Sequence, residues 1–476
     1  MAMLGKRRPS RVRSGVSGLQ GRRTPRDAPH AGAEETTSRV IERLAHDGRG
    51  VAHHPDGKAL FVEGGLPGER LEVAIHRAHK RYDEAHIREL FEASPERVAP
   101  PCGHFAHCGG CDLQHLDVEA QRRHKPGVLV ELLTRQEIES PSPVLLAGSP
   151  DAYRRKARLG VRVDAEGEVH LGFRARHSHR LVDITDCTVL MRPLNALLLP
   201  LRDFLASLEA PRQVGHLELL DSDQGAILVV RQLRDHSADS RRWRLFAESH
   251  GLHLAQWRGR DSPRLEWLTP VPSLSCRVPG PQGDLTLGFA PGDFLQANAE
   301  VNRRMIETAL NWLGDARGRR MLDLYAGVGN FSLPLAAAGA DVTAVEGASA
   351  MVDRLVDNAR RNGLTLRAQQ ADLASDGVVA SVLDASRPDW VLLDPPRDGA
   401  ERACRALAAR PVARVLYVSC DPATLARDAA HLVRGGYRLS RACVADMFTH
   451  TSHLEAMLLF EHPRTERQPQ GVSADG

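Results

Sequence analysis

Apolar and polar positions change rhythm more than once along the chain. Between Ser38 and Leu90, short runs such as "KALFVEG" and "RLEVAIHRA" are cut by the turn signals "DGRG", "HPDG" and "LPGE". Short strands punctuated by Gly, Pro and Asp predict a small β-barrel. Residues 112–139, "DLQHLDVEAQRRHKPGVLVELLTRQEIE", read as helical around Pro126. From about residue 150 to 290 the pattern is mixed but rich in strands, with "RLGVRV", "EVHLGF", "HLELL" and "AILVVRQL". A helix is predicted over Ala299–Gly314. Beyond Arg320 the apolar strands "RMLDLYAG", "ADVTAVEG", "DWVLLDPP" and "RVLYVSC" alternate with helical stretches. That alternation predicts a doubly wound α/β sheet. At 476 residues, two to four domains are expected. No internal repeat is visible.

Composition adds little until it is placed along the chain. Hydrophobic residues at 42% and charged residues at 26% describe a soluble protein with buried cores. Aromatics stand at only 4%, so the cores must rest on Leu, Val and Ala. The net charge of +3 is uninformative, but residues 1–26 hold eight Lys or Arg and no acidic residue. That stretch lacks the apolar run of a signal peptide. It reads as a disordered basic arm (1–33) that can touch nucleic acid or do nothing. The polar tail (463–476) also reads as disordered. No run of about 18 apolar residues occurs, so no membrane span is expected. Eight cysteines in such a chain argue for a reducing, cytoplasmic setting, where clustered thiols serve as ligands or nucleophiles.

The chemistry begins at "RMLDLYAGVGNFSLPLAAAGADVTAVEG". A strand (Met321 to Tyr325) runs into a glycine turn at Gly327 and Gly329, and a helix follows from Phe331. Glycine lets backbone approach a ligand closely. Glu346, seventeen residues after Gly329, ends the next strand, where a carboxylate can accept from ribose hydroxyls. This much fits NAD oxidoreductases and S-adenosylmethionine (SAM) methyltransferases alike. The missing third glycine, and Asp394 in "LLDPPR" at the sheet's carboxyl edge, favour the second.

With "FLQAN" (Phe294 to Asn298), "DLYAGVGN", "SCDPATLARD" and "HTSHLEAMLLF" (His450 to Phe460) in order, the C-terminal half resembles the RNA uracil-5-methyltransferase family of class I methyltransferases. The resemblance implies SAM contacts at Gln296, Tyr325, Asn330, Glu346, Asp372 and Asp394.

Uracil chemistry supplies a reason for Cys420, which would otherwise read as a space-filling thiol. Carbon 5 of uracil is too weak a nucleophile to take a methyl group unaided. A thiolate added at carbon 6 makes the ring an enolate, and a separate base must afterwards remove the carbon 5 proton. Cys420, at a strand's end before Asp421 and Pro422, suits the nucleophile; the resemblance puts the base at Glu455. Departures from the family pattern are Asp421, Thr449 before His450, and Ser452. Since the thiol's pKa is expected to be low, nearby Lys, Arg or a helix dipole should offset Asp421.

Cys102, Cys108 and Cys111 stand at C-x5-C-x2-C, with Cys187 as a distant fourth. Spacing alone leaves zinc and iron–sulfur open, and His104, His107 and His115 leave a mixed site open. The resemblance implies a four-iron, four-sulfur (4Fe–4S) cluster on the four cysteines. Cys276, Cys404 and Cys443 read as packing residues.

The barrel resembles a TRAM domain, an OB-like RNA-binding module. "HRAHKRY", "YRRKARLGVR" and "GFRARHSHRL" mix positive charge with aromatics, as RNA contacts require. A uridine reaching Cys420 must leave its stack. The implied architecture is multidomain: an OB-like TRAM barrel (34–95), a central α+β domain with the cysteine cluster (96–290) and a Rossmann-like α/β methyltransferase domain (291–462). Barrel and cluster together point to the branch acting on 23S rRNA, as a monomer, with another 23S uridine or tRNA as alternatives. A cytosine methyltransferase would carry Pro before its cysteine, whereas Cys420 follows Ser419. A noncatalytic RNA-binding iron–sulfur protein would need neither Cys420 nor Glu455.

Overall fold

The computed structural model describes residues 38–463. The basic arm and the tail beyond Pro463 lie outside the described residues. Among the described residues, no helix is long and apolar enough to cross a membrane.

The N-terminal strands form a six-stranded sheet in the order Arg39–Val40, Arg70–Ala78, Tyr82–Glu92, Ala59–Glu63, Gly50–His53, Arg43–Leu44. Alternate residues of these strands, Leu60, Val62, Leu71 and Ala85, fill a small core. Glu69, fully buried, ties the sheet to the following segment. Its carboxylate accepts from the Leu66 and Ser94 N–H groups (2.8 and 3.2 Å) and from the Arg97 guanidinium (2.5 and 2.8 Å). A buried carboxylate is tolerable when its oxygens are satisfied in this way.

A second, seven-stranded sheet contains all four central runs of the sequence reading, as Lys156–Val163, Val169–Arg174, Val214–Ser222 and Gly225–Gln232. Helices Leu198–Ser207 and Ser237–His250 cover it, with Leu201, Leu205, Trp243 and Phe246 in the shared core.

The C-terminal sheet has eight strands. Its first five run Arg367–Gln370, Asp341–Glu346, Arg320–Leu324, Trp390–Leu393, Arg414–Ser419, all mutually parallel. Glu455–Glu461 then joins antiparallel to Arg414–Ser419, followed by Arg438–Ala445. The parallel strands are continuous apolar runs because helices bury both faces. The order reverses between Arg320–Leu324 and Trp390–Leu393, which opens a crevice at their carboxyl ends.

The eighth strand, Val144–Leu146, comes from far upstream and pairs with Arg438–Ala445. The continuous helix Val118–Thr134, through Pro126, packs Val128, Leu129 and Leu133 into the same core. Both elements lie within the 96–290 segment of the sequence, yet they are built into the C-terminal sheet. Lys125 of this helix is fully buried against Asp446 (2.6 Å). Asp446 also accepts from Thr449 (2.8 Å) and Arg122 (3.3 Å), the added hydrogen bonds that a buried ion pair requires.

Candidate active site and cysteine cavity

The carboxyl ends of the parallel strands and the approaching antiparallel strand enclose a cleft of about 650 Å³. Gln296, Tyr325, Asn330, Glu346, Asp372, Asp394, Cys420 and Glu455 all line it. Strand register explains the convergence. Leu324, Leu393 and Tyr417 are level across three strands, so Tyr325, Asp394 and the end of the third strand emerge together. Ser419 pairs with Ala456, which brings the next residue, Cys420, level with the preceding one, Glu455.

The glycine loop is held open by its own backbone. Tyr325, Gly327 and Gly329 all take positive φ (66°, 55° and 103°), which only glycine adopts without strain. The strained Tyr325 conformation turns the chain off the strand end into the cleft. Glu346 fixes this loop by accepting from the Gly327 N–H (3.0 Å) and the Ala348 N–H (2.9 Å). Asn330 exchanges amide hydrogen bonds with Asn302 (2.8 and 2.9 Å), joining the loop to the helix Ala299–Leu313 that follows Gln296. Asp372 is exposed at the rim and accepts from the Ala374 N–H (3.0 Å) and the Ser375 hydroxyl (2.8 Å).

Carboxyl groups crowd the floor. Burial pushes Glu455 up to about 8, and the Asp394 charge adds to this. Burial likewise pushes Asp394 up to about 7, with Asp323 adding to it. Asp323, behind the loop, is itself pushed up to about 7 by burial and bonds the Ser332 hydroxyl.

The expectation of a low-pKa thiol is not met. Burial, then Glu455, pushes Cys420 up to about 11. The Arg397 guanidinium opposes the rise through charge and a hydrogen bond. The Asp421 carboxylate is committed to a helix end. It is the N-cap of the helix Pro422–Arg434, accepting from the Ala423 and Thr424 N–H groups (3.1 and 2.9 Å).

Sequence reasoning missed several lining residues, among them Arg155, Asn302, Arg397, Phe448 and His453. Arg397 was quoted only as the end of "LLDPPR", although a cation following the two prolines was a signal. Phe294, 65% exposed at the cleft, offers a bare ring to a ligand.

A second cavity of about 280 Å³ gathers Cys102, Cys108, Cys111 and Cys187. It shares Arg397, Phe448 and His453 with the cleft. Burial raises the thiol pKa of Cys108, Cys111 and Cys187, taking Cys111 to about 12. Among the described residues, however, no group of three or more His, Cys, Asp or Glu side chains forms a metal-holding site. The four thiols nevertheless share one cavity. Of the three histidines, only His104 lines this cavity, and it is engaged with Asp186 (3.1 Å). His115 is buried elsewhere, pushed down to about 4 by that burial. Cys404 and Cys443 are buried in the cores, and Cys276 is buried at the cleft wall.

The three basic runs divide. In "HRAHKRY", Arg77, Lys80 and Arg81 are exposed, and His79 stacks on Tyr82 at 4.3 Å. In "YRRKARLGVR", Tyr153 and Arg155 are buried and Lys156 bonds the Asp293 carbonyl (3.0 Å), so much of that run is structural. In "GFRARHSHRL", Arg176 covers the Phe105 ring at 4.7 Å and bonds the Cys111 carbonyl (2.6 Å).

The parallel sheet, its switch-point crevice and the glycine loop together define a Rossmann-like cofactor-binding domain, which the sequence matches narrow to a class I methyltransferase. Residues 282–463 match the tRNA (uracil-5-)-methyltransferase family model, and residues 39–87 match the TRAM domain. A 23S rRNA (uracil(1939)-C(5))-methyltransferase RlmD from Halomonas elongata is 60% identical, covering 100% of both chains. The enzyme of that name from Chromohalobacter salexigens is 55% identical over 99% of this chain and 98% of its own. The fold also matches a Pyrococcus abyssi tRNA (uracil-54, C5)-methyltransferase solved with S-adenosyl-L-homocysteine. That match has a TM-score of 0.68 at 22% identity, covering 89% of this chain and 100% of the other. The chain belongs to the RNA uracil-5-methyltransferase family and carries a TRAM domain.

Proposed function

We propose that the protein transfers a methyl group from SAM to carbon 5 of a uridine in 23S rRNA, the site being of the uracil-1939 type. One observation carries the reading: Cys420 and Glu455 meet across a strand pair in the same cleft as the glycine loop and Glu346. In this reading Gln296, Tyr325, Asn330, Glu346, Asp372 and Asp394 hold the cofactor. The Cys420 thiolate adds to carbon 6, and the ring's electron pair then attacks the methyl carbon from carbon 5 as the methyl–sulfonium bond breaks. Glu455 takes the carbon 5 proton; the electrons left behind re-form the ring double bond and expel the thiolate. A sulfonium bound among these carboxyl groups would add positive charge, favouring thiolate over thiol. The names of relatives covering nearly the whole chain support 23S rRNA as substrate.

The reading also gives Cys102, Cys108, Cys111 and Cys187 a 4Fe–4S cluster. Four thiols around one cavity fit that donor set, and of the two lining histidines His104 is already engaged by Asp186. The cluster would supply a rigid centre joining the 102–111 segment to the distant Cys187. Protein purified anaerobically should carry iron and acid-labile sulfide in equal amounts, lost together when Cys108 and Cys111 are replaced by Ser. Zinc in their place would overturn the assignment.

The substrate is tested by methyl incorporation from labelled SAM into transcripts of unmodified 23S rRNA and of tRNA. Incorporation into one 23S fragment, abolished by replacing a single uridine, is the expected result. Incorporation into tRNA alone would move the chain to the other branch.

A further inference from the structure

The stretch between Asp446 and Glu455 is clamped from the N-terminal side of the chain. Lys125 bonds the Phe448 carbonyl (3.0 Å) and Tyr153 the Thr449 carbonyl (2.9 Å). Gln121 accepts from the His450 N–H (2.9 Å), and the Asp112 and Leu113 N–H groups donate to the His450 carbonyl (3.0 and 2.9 Å). His450 is left-handed at φ 70°, so the chain reverses at a strained, buried residue. Past that point, only Asp112 makes side-chain hydrogen bonds to residues 452–454, among the described residues. Its Oδ1 accepts from the Ser452 N–H (2.7 Å) and its Oδ2 from the Ser452 hydroxyl (3.0 Å). The barrel closes the same spot: a Cβ on Gly48, where φ is 81°, would stand 2.9 Å from Leu113 and 3.4 Å from Ser452.

We propose that Asp112 is a positioning residue for the Glu455 base, holding the loop three residues upstream of that carboxylate through both its oxygens. The inference rests on the reading of Glu455 as the base. Cys420 hangs from a different strand, Arg414–Ser419, and from the helix behind it, so Asp112 does not hold the nucleophile. Loosening the clasp therefore slows proton removal while leaving thiolate addition and methyl transfer in place. The enzyme stalls as a methylated covalent adduct with ordinary RNA. Because Asp112 directly follows Cys111, the segment that carries the cysteine cavity is also the one that aims the base.

The test uses the full chain, purified anaerobically, with SAM and unmodified 23S rRNA fragment, read on denaturing gels and by steady-state kinetics. Asp112→Ala should lower kcat about 10- to 100-fold and KM for RNA and SAM by a similar factor, leaving kcat/KM within about two-fold, because the slowed step follows methyl transfer. The covalent protein–RNA fraction should rise at the same time. Asp112→Asn, which keeps an acceptor for the Ser452 N–H, should restore most of the rate. Ser452→Ala removes one of the two bonds and should raise the adduct more weakly; it serves as the readout should Asp112→Ala fail to fold. Wild-type turnover in Asp112→Ala, or loss of activity without adduct in the folded variants, overturns the inference. Glu455→Gln run in parallel separates the two ideas. If it accumulates adduct and the Asp112 and Ser452 variants do not, only the positioning role falls. If Glu455→Gln forms none, the base assignment falls and takes the inference with it.

Discussion

Replacing Cys420 by Ala should lower methyl transfer by on the order of 10⁴-fold or more, since no neighbouring group can take over attack on carbon 6. Ser419, the adjacent hydroxyl, is buried and hydrogen-bonded with the Asp421 backbone at 3.1 and 3.2 Å. Cofactor binding should survive, because the glycine loop, Glu346 and Asn330 are held by contacts that do not involve the thiol. The measurement is trapping on RNA containing 5-fluorouridine. Fluorine cannot leave as a cation, so the wild-type protein should remain covalently attached through Cys420, and Cys420→Ala should show no adduct. Turnover of the Ala variant within ten-fold of wild type would remove the covalent mechanism altogether.

Glu455→Gln is expected to act later in the cycle. Turnover should fall about 10²- to 10⁴-fold, the usual worth of a positioned base. Adduct with ordinary uridine RNA should accumulate instead of disappearing, because addition and methyl transfer precede the step that needs the carboxylate. The pH dependence follows from the same group. Glu455 is pushed up to about 8 by burial and by Asp394, and only its ionised form accepts a proton. Adduct resolution, followed in single turnovers, should therefore climb about ten-fold per pH unit at low pH and level off above the Glu455 pKa. In Glu455→Gln the residual rate should lose this rise. A wild-type resolution rate independent of pH between 6 and about 9 would contradict the assignment.

Period and punctuation made the C-terminal sheet readable from the chain alone. Continuous apolar runs of four to six residues with helices between them have few folded solutions, and a parallel sheet covered on both faces is the common one. The strands Arg320–Leu324, Asp341–Glu346, Trp390–Leu393 and Arg414–Ser419 lie where the quoted runs put them. Val144–Leu146 could not be read in this way. Three residues carry no period, and their partner strand is some 300 positions downstream, at Cys443–Ala445. Arg397 escaped for a related reason. Its position between the cleft and the cysteine cavity depends on how two loops meet, and a lone arginine after a proline pair does not announce that.

The thiol shows where the division lies. Residue type and uracil chemistry singled out Cys420 as the candidate nucleophile, and the family resemblance put the candidate base at Glu455. Their electrostatic state was not available from the same information. A pKa depends on what surrounds a group in three dimensions, and here burial and facing carboxyls win over one arginine. Local sequence thus determined the elements, the glycine loop and the candidate groups, since hydrogen-bond periodicity and backbone sterics act over a few residues. Only the tertiary structure decided that Cys420 lies level with Glu455, that four cysteines share one cavity, and that Asp112 reaches across 340 residues to Ser452. Those contacts join residues distant in the chain, and their geometry is set by the packing of whole sheets and helices.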